Sequence, residues 1–450
     1  MRPATASLEE PVPQIRPFRA LRFDADVTGE LGAVIAPPYD VIGADLHQRL
    51  LDRHPKNAVR LDLPSPDPAD QDPDDRYRRV ARTLAAWRTD GTLRKDPRPG
   101  VYVYEQAYRV PGTEVERTQR GFFARLRLEP FGPGSGVLPH ERTLSGPKED
   151  RYKLLRATGI NTSPVVGLFE DPSGRVATML AAAVLEPPLA DLVDDDGVRH
   201  RLWLVTDEGD DDAATTLATI AGSGPVFIAD GHHRYETAIR YRDERRMTRS
   251  CEEDPAFDYL LMLFLDAADQ LTVLPTHRVV LGLGDAGVAQ LRDGLERLFA
   301  VRPVDADSLV ARFEAAGELP GGEGRFGLVT RDGTWQLEAR RQAFTGLVAD
   351  GGDAVRALDV SLLAATLDEL LGIDAAAVAA GERITYAKSA REAARLVGDG
   401  TDGADAAFLL EPTPVASILE VSRDGDVMPQ KSTYFYPKAL TGLVLNPHEW

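Results

Sequence analysis

The run Asp230-Gly231-His232-His233-Arg234 holds the residues best suited to chemistry. A short apolar segment, Pro225–Ala229, precedes it and reads as a buried strand, and Arg234–Arg246 follows with the pattern of a helix. Asp230 is placed to cap that helix through a side-chain oxygen. Gly231 allows a tight turn and a close approach of ligand to backbone. The helix start then offers unbonded N–H groups and the positive end of the dipole. Two imidazoles and a guanidinium added there make a polarised pocket for a phosphate. The plainer alternative is an Asp cap whose His and Arg neighbours make surface hydrogen bonds.

A second cluster runs Leu138-Pro139-His140-Glu141-Arg142-Thr143, then Pro147-Lys148-Glu149-Asp150-Arg151-Tyr152-Lys153, after the glycine-rich loop Gly132–Gly136. His140 or Glu141 has the chemistry of a general base, and Lys148 with Arg151 that of an anion site. A solvated helix start in which Lys148 and Arg151 balance Glu149 and Asp150 accounts for the same residues. Thr276-His277-Arg278 repeats the His-Arg pairing, with His277 read as structural. Met428–Lys438 brings together Lys431, Ser432, Thr433, Lys438 and three aromatics. Lys431 and Ser432 suit phosphate or carboxylate, and the aromatics either stack on a base or pack into the core.

Other patterns lead nowhere. The chain holds no G-x-x-x-x-G-K-[ST] phosphate loop and no G-x-S-x-G nucleophile turn. Gly282-Leu283-Gly284-Asp285-Ala286-Gly287 matches G-x-G-x-x-G, but a loop capped by Asp285 explains it equally well. His140, His232 and His233 lack metal-ligand spacing such as H-E-x-x-H, so no metal ligands are assigned. Cys251 stands beside Glu252 and Glu253, whose charge is expected to blunt its reactivity.

Composition bounds the partners. Of 450 residues, 71 are acidic and 52 are Lys or Arg, for a formal charge of −19. That balance argues against nucleic acid or an anionic lipid surface as the main partner. A single cysteine excludes an internal disulfide framework and a Cys-based zinc cluster. Only seven basic residues are Lys (56, 95, 148, 153, 388, 431 and 438), against 45 Arg. Each Lys retained in so Arg-rich a chain marks a position suited to a compact ammonium. The opening Met1–Pro13 has no apolar signal segment. The apolar run Tyr259–Leu265 is far short of the roughly 20 residues of a membrane span, so a cytoplasmic protein without a membrane partner is expected.

The elements needed to position these residues read as α+β with mixed sheets. Strands are expected over Ile15–Arg22, Val101–Arg109, Gln119–Leu128, Val198–Thr206, Tyr259–Asp266 and Leu271–Val280. Helices are expected over Leu46–Arg53, Asp75–Asp90 and Leu180–Leu192. Residues 1–14 read as a flexible lead-in, 15–284 as the main core and 285–380 as an α+β subdomain. Residues 381–450 read as a segment returning to the core.

Taken together, Ala36–Ile42 (A-P-P-Y-D-V-I), His140–Thr143, Lys148–Arg151, Ala229–Ala238, Pro275–Arg278 and Met428–Lys438 resemble the domain of unknown function number 1015 family, over about Ile15 to Asn446. The Asp-Gly-His-His-Arg turn is similar to that of the ParB and sulfiredoxin-like nucleotide-binding fold, including free-serine kinases. The resemblance implies a ParB/sulfiredoxin-like core in which Asp230, Gly231, His233, Arg234, Lys148, Arg151, Lys431 and Ser432 hold phosphates. Glu141, His140 and His232 would serve the chemistry. His232 stands where sulfiredoxins carry their reactive Cys, so sulfinic-acid reduction is not implied. The expected function is a nucleotide-dependent phosphotransferase using ATP or ADP with Mg2+ on a small hydroxylated substrate such as serine. The alternatives are a nucleotide-binding regulatory module and a metal-assisted phosphoester or nucleotide hydrolase.

Overall fold

A computed structural model describes residues 12–132, 134–141, 145–248, 253–315, 321–348 and 351–450. Cys251, Arg142 and Thr143 lie outside the described residues. Two large sheets dominate a mixed α+β fold. The larger runs in the order Val137–Leu138, Val226–Asp230, Val165–Phe169, Tyr259–Asp266, Glu116–Arg127, Gly100–Arg109, Arg199–Thr206, Ala190–Val193, with Ile15–Arg16 added on Glu116–Arg127. Its pairings are mostly antiparallel, but Tyr259–Asp266 is parallel to Val165–Phe169, and Val226–Asp230 is parallel to Val137–Leu138.

Strand periodicity decides what each face meets. Along Gly100–Arg109, Val101 and Val103 face a core shared with helices Arg175–Ala183, Ala213–Ala221 and His232–Thr248. Tyr102 and Tyr104 face the opposite core. That core takes Tyr77, Val80, Leu84 and Trp87 from helix Asp75–Thr89, the residues whose helical spacing marked that segment. It also takes Val280, Phe326, Leu328 and Phe408 from the second sheet, so one apolar layer joins the two.

The second sheet is antiparallel throughout, in the order Phe299–Pro303, Gly333–Ala339, Arg325–Thr330, Ala404–Leu410, His277–Leu281, Ile384–Ala387. It draws on residues 277–410 and so extends beyond the expected 285–380 segment at both ends. Ile384–Ala387 and Ala404–Leu410 complete this sheet instead of returning to the first.

Three element expectations are corrected. The strand expected over Ile15–Arg22 is two short strands, Ile15–Arg16 on Glu116–Arg127 and Leu21–Phe23 on Leu93–Lys95, with Pro17 between them. The strand expected over Leu271–Val280 divides. Thr272–Leu274 pairs with Tyr434–Tyr436, while His277–Leu281 enters the second sheet. Pro275 stands at the division, where its missing N–H ends one ladder. The helix expected over Leu180–Leu192 lies earlier, at Arg175–Ala183, and is followed by strand Ala190–Val193. Pro187 and Pro188 bar a helix through the interval. At Gly282–Gly287, the amides of Leu283 and Gly284 donate to Asp405 at 2.7 and 2.9 Å. The chain's own carboxylate thus occupies the start of helix Gly284–Leu298. No helix among the described residues is long and apolar enough to cross a membrane.

Candidate functional site

Strand Val226–Asp230 ends on a register shift between Ile228 and Asp230, an irregularity of the kind that re-aims a side chain. Gly231 then turns the chain with φ 93°, and its carbonyl accepts the Tyr235 amide at 3.0 Å to begin helix His232–Thr248. Glycine is needed twice over. The backbone lies in the left-handed region, and a Cβ would meet the Arg234 guanidinium at 3.0–3.1 Å.

The Asp230 carboxylate is held by two cations. Lys438 Nζ donates to Oδ1 and Arg234 to Oδ2, each at 2.6 Å. Burial opposes ionisation, but Lys438 and then Arg234 outweigh it and keep the group below the usual carboxylate range. Arg234 also donates to the Pro164 carbonyl, locking the turn to the strand beside it.

His140 and His232 meet edge to face with ring centroids 4.7 Å apart. The His140 amide lies 3.3 Å from His232 Nε2, which accepts it. Both ring nitrogens of His140 are occupied, Nδ1 with the Ile228 carbonyl at 2.6 Å and Nε2 with the Thr433 hydroxyl at 3.0 Å. Burial pushes its pKa down to about 4 and also depresses that of His232. Burial thus favours the neutral form of both imidazoles; His140 is a structural support behind the wall, and His232 stands in the wall itself. A hydrolase that recruits His140 as a metal ligand would have to give up its bond to the Ile228 carbonyl or to the Thr433 hydroxyl.

Glu141 lies against the C-terminal loop. Its Oε1 accepts the Lys431 amide at 2.7 Å, and burial raises its pKa against that bond. Lys431 has φ 56°, a left-handed conformation shared only with Asp402 among described non-glycine residues. Arg278 closes the other side by donating to the Lys431 carbonyl at 3.1 Å. Two separate motifs, those of Glu141 and Arg278, thus hold one strained lysine in place.

These groups line a cavity of about 180 Å³. Of the sequence-predicted site residues, Glu141, Asp230, Gly231, His232, His233, Arg234 and Lys431 converge on it. Burial, then Lys431 and Lys148, depress the pKa of His233. Four predicted residues are not in the wall, the first of them His140, which is fully buried behind His232. Lys148 pairs with Glu236. Arg151 is buried against Asp62 and Asp150, with its guanidinium 4.1 Å from the centre of the Tyr39 ring, so it supports the wall from behind. Ser432 turns its hydroxyl to the Pro429 carbonyl, and Thr433 takes the wall position.

Sequence reasoning gave no role to Tyr39, Asp40, Tyr386 and Lys388, all of which line the cavity. Asp40 makes no hydrogen bond or ion pair with any described residue, although it influences Arg234 and Lys438 electrostatically. The signals available were the Ala36–Ile42 motif for Tyr39 and Asp40, and the scarcity of lysine for Lys388.

The fold and site define a two-sheet α+β protein with a polar, cation-rich cavity where the sheets meet. The chain belongs to the protein family of unknown function DUF1015, whose model matches residues 15–361. No curated protein matches it in sequence. Among solved structures it is similar to a conserved hypothetical protein from Pyrococcus furiosus, with 13% identity, TM-score 0.32, and 67% of this chain and 87% of that chain covered. It is also similar to a free serine kinase in complex with AMP, with 15% identity, TM-score 0.34 and coverages of 67% and 83%. A third is SbnI with a C-terminal truncation from Staphylococcus aureus, with 10% identity, TM-score 0.34 and coverages of 69% and 83%.

Proposed function

We propose that the chain is a nucleotide-dependent phosphotransferase acting on a small hydroxylated substrate, with the strand–Gly231–helix turn serving as a phosphate site of the ParB and sulfiredoxin-like type. One observation carries this reading: the cavity at that turn is lined by the half-buried cations Arg234 and Lys438, and by Lys431, together with the carboxylates Asp40 and Glu141. Cations fixed in a partly desolvated site stabilise charge on a transferring phosphoryl group. Whole-ligand pockets commonly enclose about 300–1,000 Å³. The enclosed volume here suits the phosphate end of ATP or ADP and a small acceptor, with the nucleoside crossing the rim.

Glu141 is the proposed base, since desolvation raises its pKa toward the range useful for proton transfer and Lys431 fixes one of its oxygens. Both Asp230 oxygens already bond cations. Asp40 is therefore the better hard-cation ligand, and with the nucleotide phosphates it would hold Mg2+, which neutralises phosphate charge.

The test is to measure unfolding of the purified chain with ATP or ADP and Mg2+, then follow transfer to small alcohols by phosphorus NMR. Nucleotide at about 100 times its Kd adds about 2.7 kcal/mol of stability. Absence of that gain, or its persistence in Lys431→Ala and His233→Ala, overturns the reading. Binding without transfer to any acceptor favours the regulatory module.

A further inference from the structure

The strands His277–Leu281 and Ile384–Ala387 pair antiparallel with His277 opposite Ala387 and Arg278 opposite Tyr386. The next positions past the ladder are Thr276 and Lys388. Alternation therefore puts Thr276, Arg278 and Val280 on one face, opposite Lys388, Tyr386 and Ile384. Val280 and Ile384 belong to the core between the sheets, and Tyr386 packs on its edge. The same face then becomes polar, and Thr276, Tyr386 and Lys388 line the cavity. Ala387 and Val279 point to the opposite core.

This polar end has more cationic and donor capacity than the protein satisfies. The Thr276 hydroxyl is buried without a hydrogen-bond partner among the described residues. Arg278 is 5% exposed and donates to two main-chain carbonyls, Thr276 and Lys431, with no hydrogen-bonded carboxylate. Lys388 Nζ lies 4.7 Å from the centre of the Tyr434 ring, makes no ion pair with any described residue, and influences Asp196 only electrostatically. Lys438, on the same ring at 4.4 Å, is already committed to Asp230. Arg278 stands behind the cavity wall, where Tyr386 and Glu141 offset its burial electrostatically without bonding it, and its positive potential favours an anion at this end.

We propose that the Thr276–Lys388 end of this strand pair is the acceptor subsite and binds a carboxylate, so that the phosphotransferase acts on a small hydroxy-carboxylate. The inference rests on the phosphotransferase reading above. A hydroxyl and an ammonium just past the end of one strand pair, both lining the same cavity, suit the two oxygens of one carboxylate. The second sheet thus recognises the acceptor while the Gly231 turn of the first holds phosphate.

The experiment titrates the full chain with glycerate, lactate and serine, with their neutral or carboxamide analogues, and with inorganic phosphate, each with and without ATP. Wild type should bind at least one carboxylate at least ~10-fold more tightly than its amide. Lys388→Met should erase that preference while leaving the ATP response intact. Lys388 is exposed, so the variant should fold, and Thr276→Val gives an isosteric second check. No carboxylate preference in wild type, or its survival in both variants, overturns the proposal. So does loss of ATP binding in Lys388→Met, which would assign this end to the nucleotide, as would preference for inorganic phosphate. Failure of ATP to bind wild type instead strikes the phosphotransferase reading itself.

Discussion

Lys438 lies 2.6 Å from Asp230, a residue 208 positions earlier in the chain, and this bond fastens the C-terminal loop to the Gly231 turn. Arg234 completes the group from the helix side, with side-chain exposures of 10% for Arg234, 17% for Asp230 and 12% for Lys438. Asp230→Asn should leave two largely buried cations without their carboxylate and cost about 3–5 kcal/mol. Lys438→Met should cost less, because Arg234 keeps its partner. Urea unfolding of the two variants checks the order, and a loss below about 1 kcal/mol for Asp230→Asn would contradict the role given to this triad.

Acid should destabilise the fold through its buried histidines. Burial holds His140 at about 4, and His277 and His448 at about 3. An unfolded chain takes up these protons near pH 6.5, so between pH 6.5 and about 4 it binds more protons than the native state. Stability must then fall with pH, by up to about 1.4 kcal/mol per unit for each such histidine. Asp230 acts lower, since its depressed pKa gives stability that is lost only below about pH 4. Unfolding measured at pH 7.0, 6.0 and 5.0 should show the slope, and His277→Gln should make it shallower.

Gly231→Ala tests the turn. The positive φ and the contact with Arg234 together should cost about 1–3 kcal/mol. The nucleotide-induced rise in melting temperature should disappear with it. Gly174, also at positive φ but with open space around its Cα, provides the control, in which Gly174→Ala lowers stability without touching the ligand response.

Lys431 should trade stability for function. Its left-handed backbone costs a non-glycine residue about 1–2 kcal/mol, part of which glycine gives back as unfolded-state entropy. Lys431→Gly is accordingly expected to be as stable as wild type or up to about 1 kcal/mol more stable, and to bind nucleotide more weakly. A clear destabilisation would mean that the ammonium itself supports the fold.

Locally coded features were legible in the sequence. The continuous apolar run Tyr259–Asp266 became the strand with those bounds, and the spacing of Tyr77, Val80, Leu84 and Trp87 located a helix face. The Asp-Gly-His-His-Arg turn was legible for the same reason: strand, glycine and helix are contiguous. The opposite wall was not, because Tyr39, Thr276, Tyr386 and Tyr434 meet only through tertiary pairing. Nor could sequence tell that both ring nitrogens of His140 would be taken by the Ile228 carbonyl and the Thr433 hydroxyl, or that Arg151 would turn away toward Asp62. The split of Leu271–Val280 was foreshadowed by Pro275, but its partners, some 110 to 160 residues downstream, were not.

That split has a mechanical consequence. Leu274 belongs to the strand paired with Tyr434, while His277 already belongs to the second sheet, so Pro275 and Thr276 form a short tether across the cavity. A substrate touching both walls would act as a rivet. In calorimetry both sheets, joined by one apolar layer, should melt together, and the occupied protein should do so at a higher temperature than the empty one.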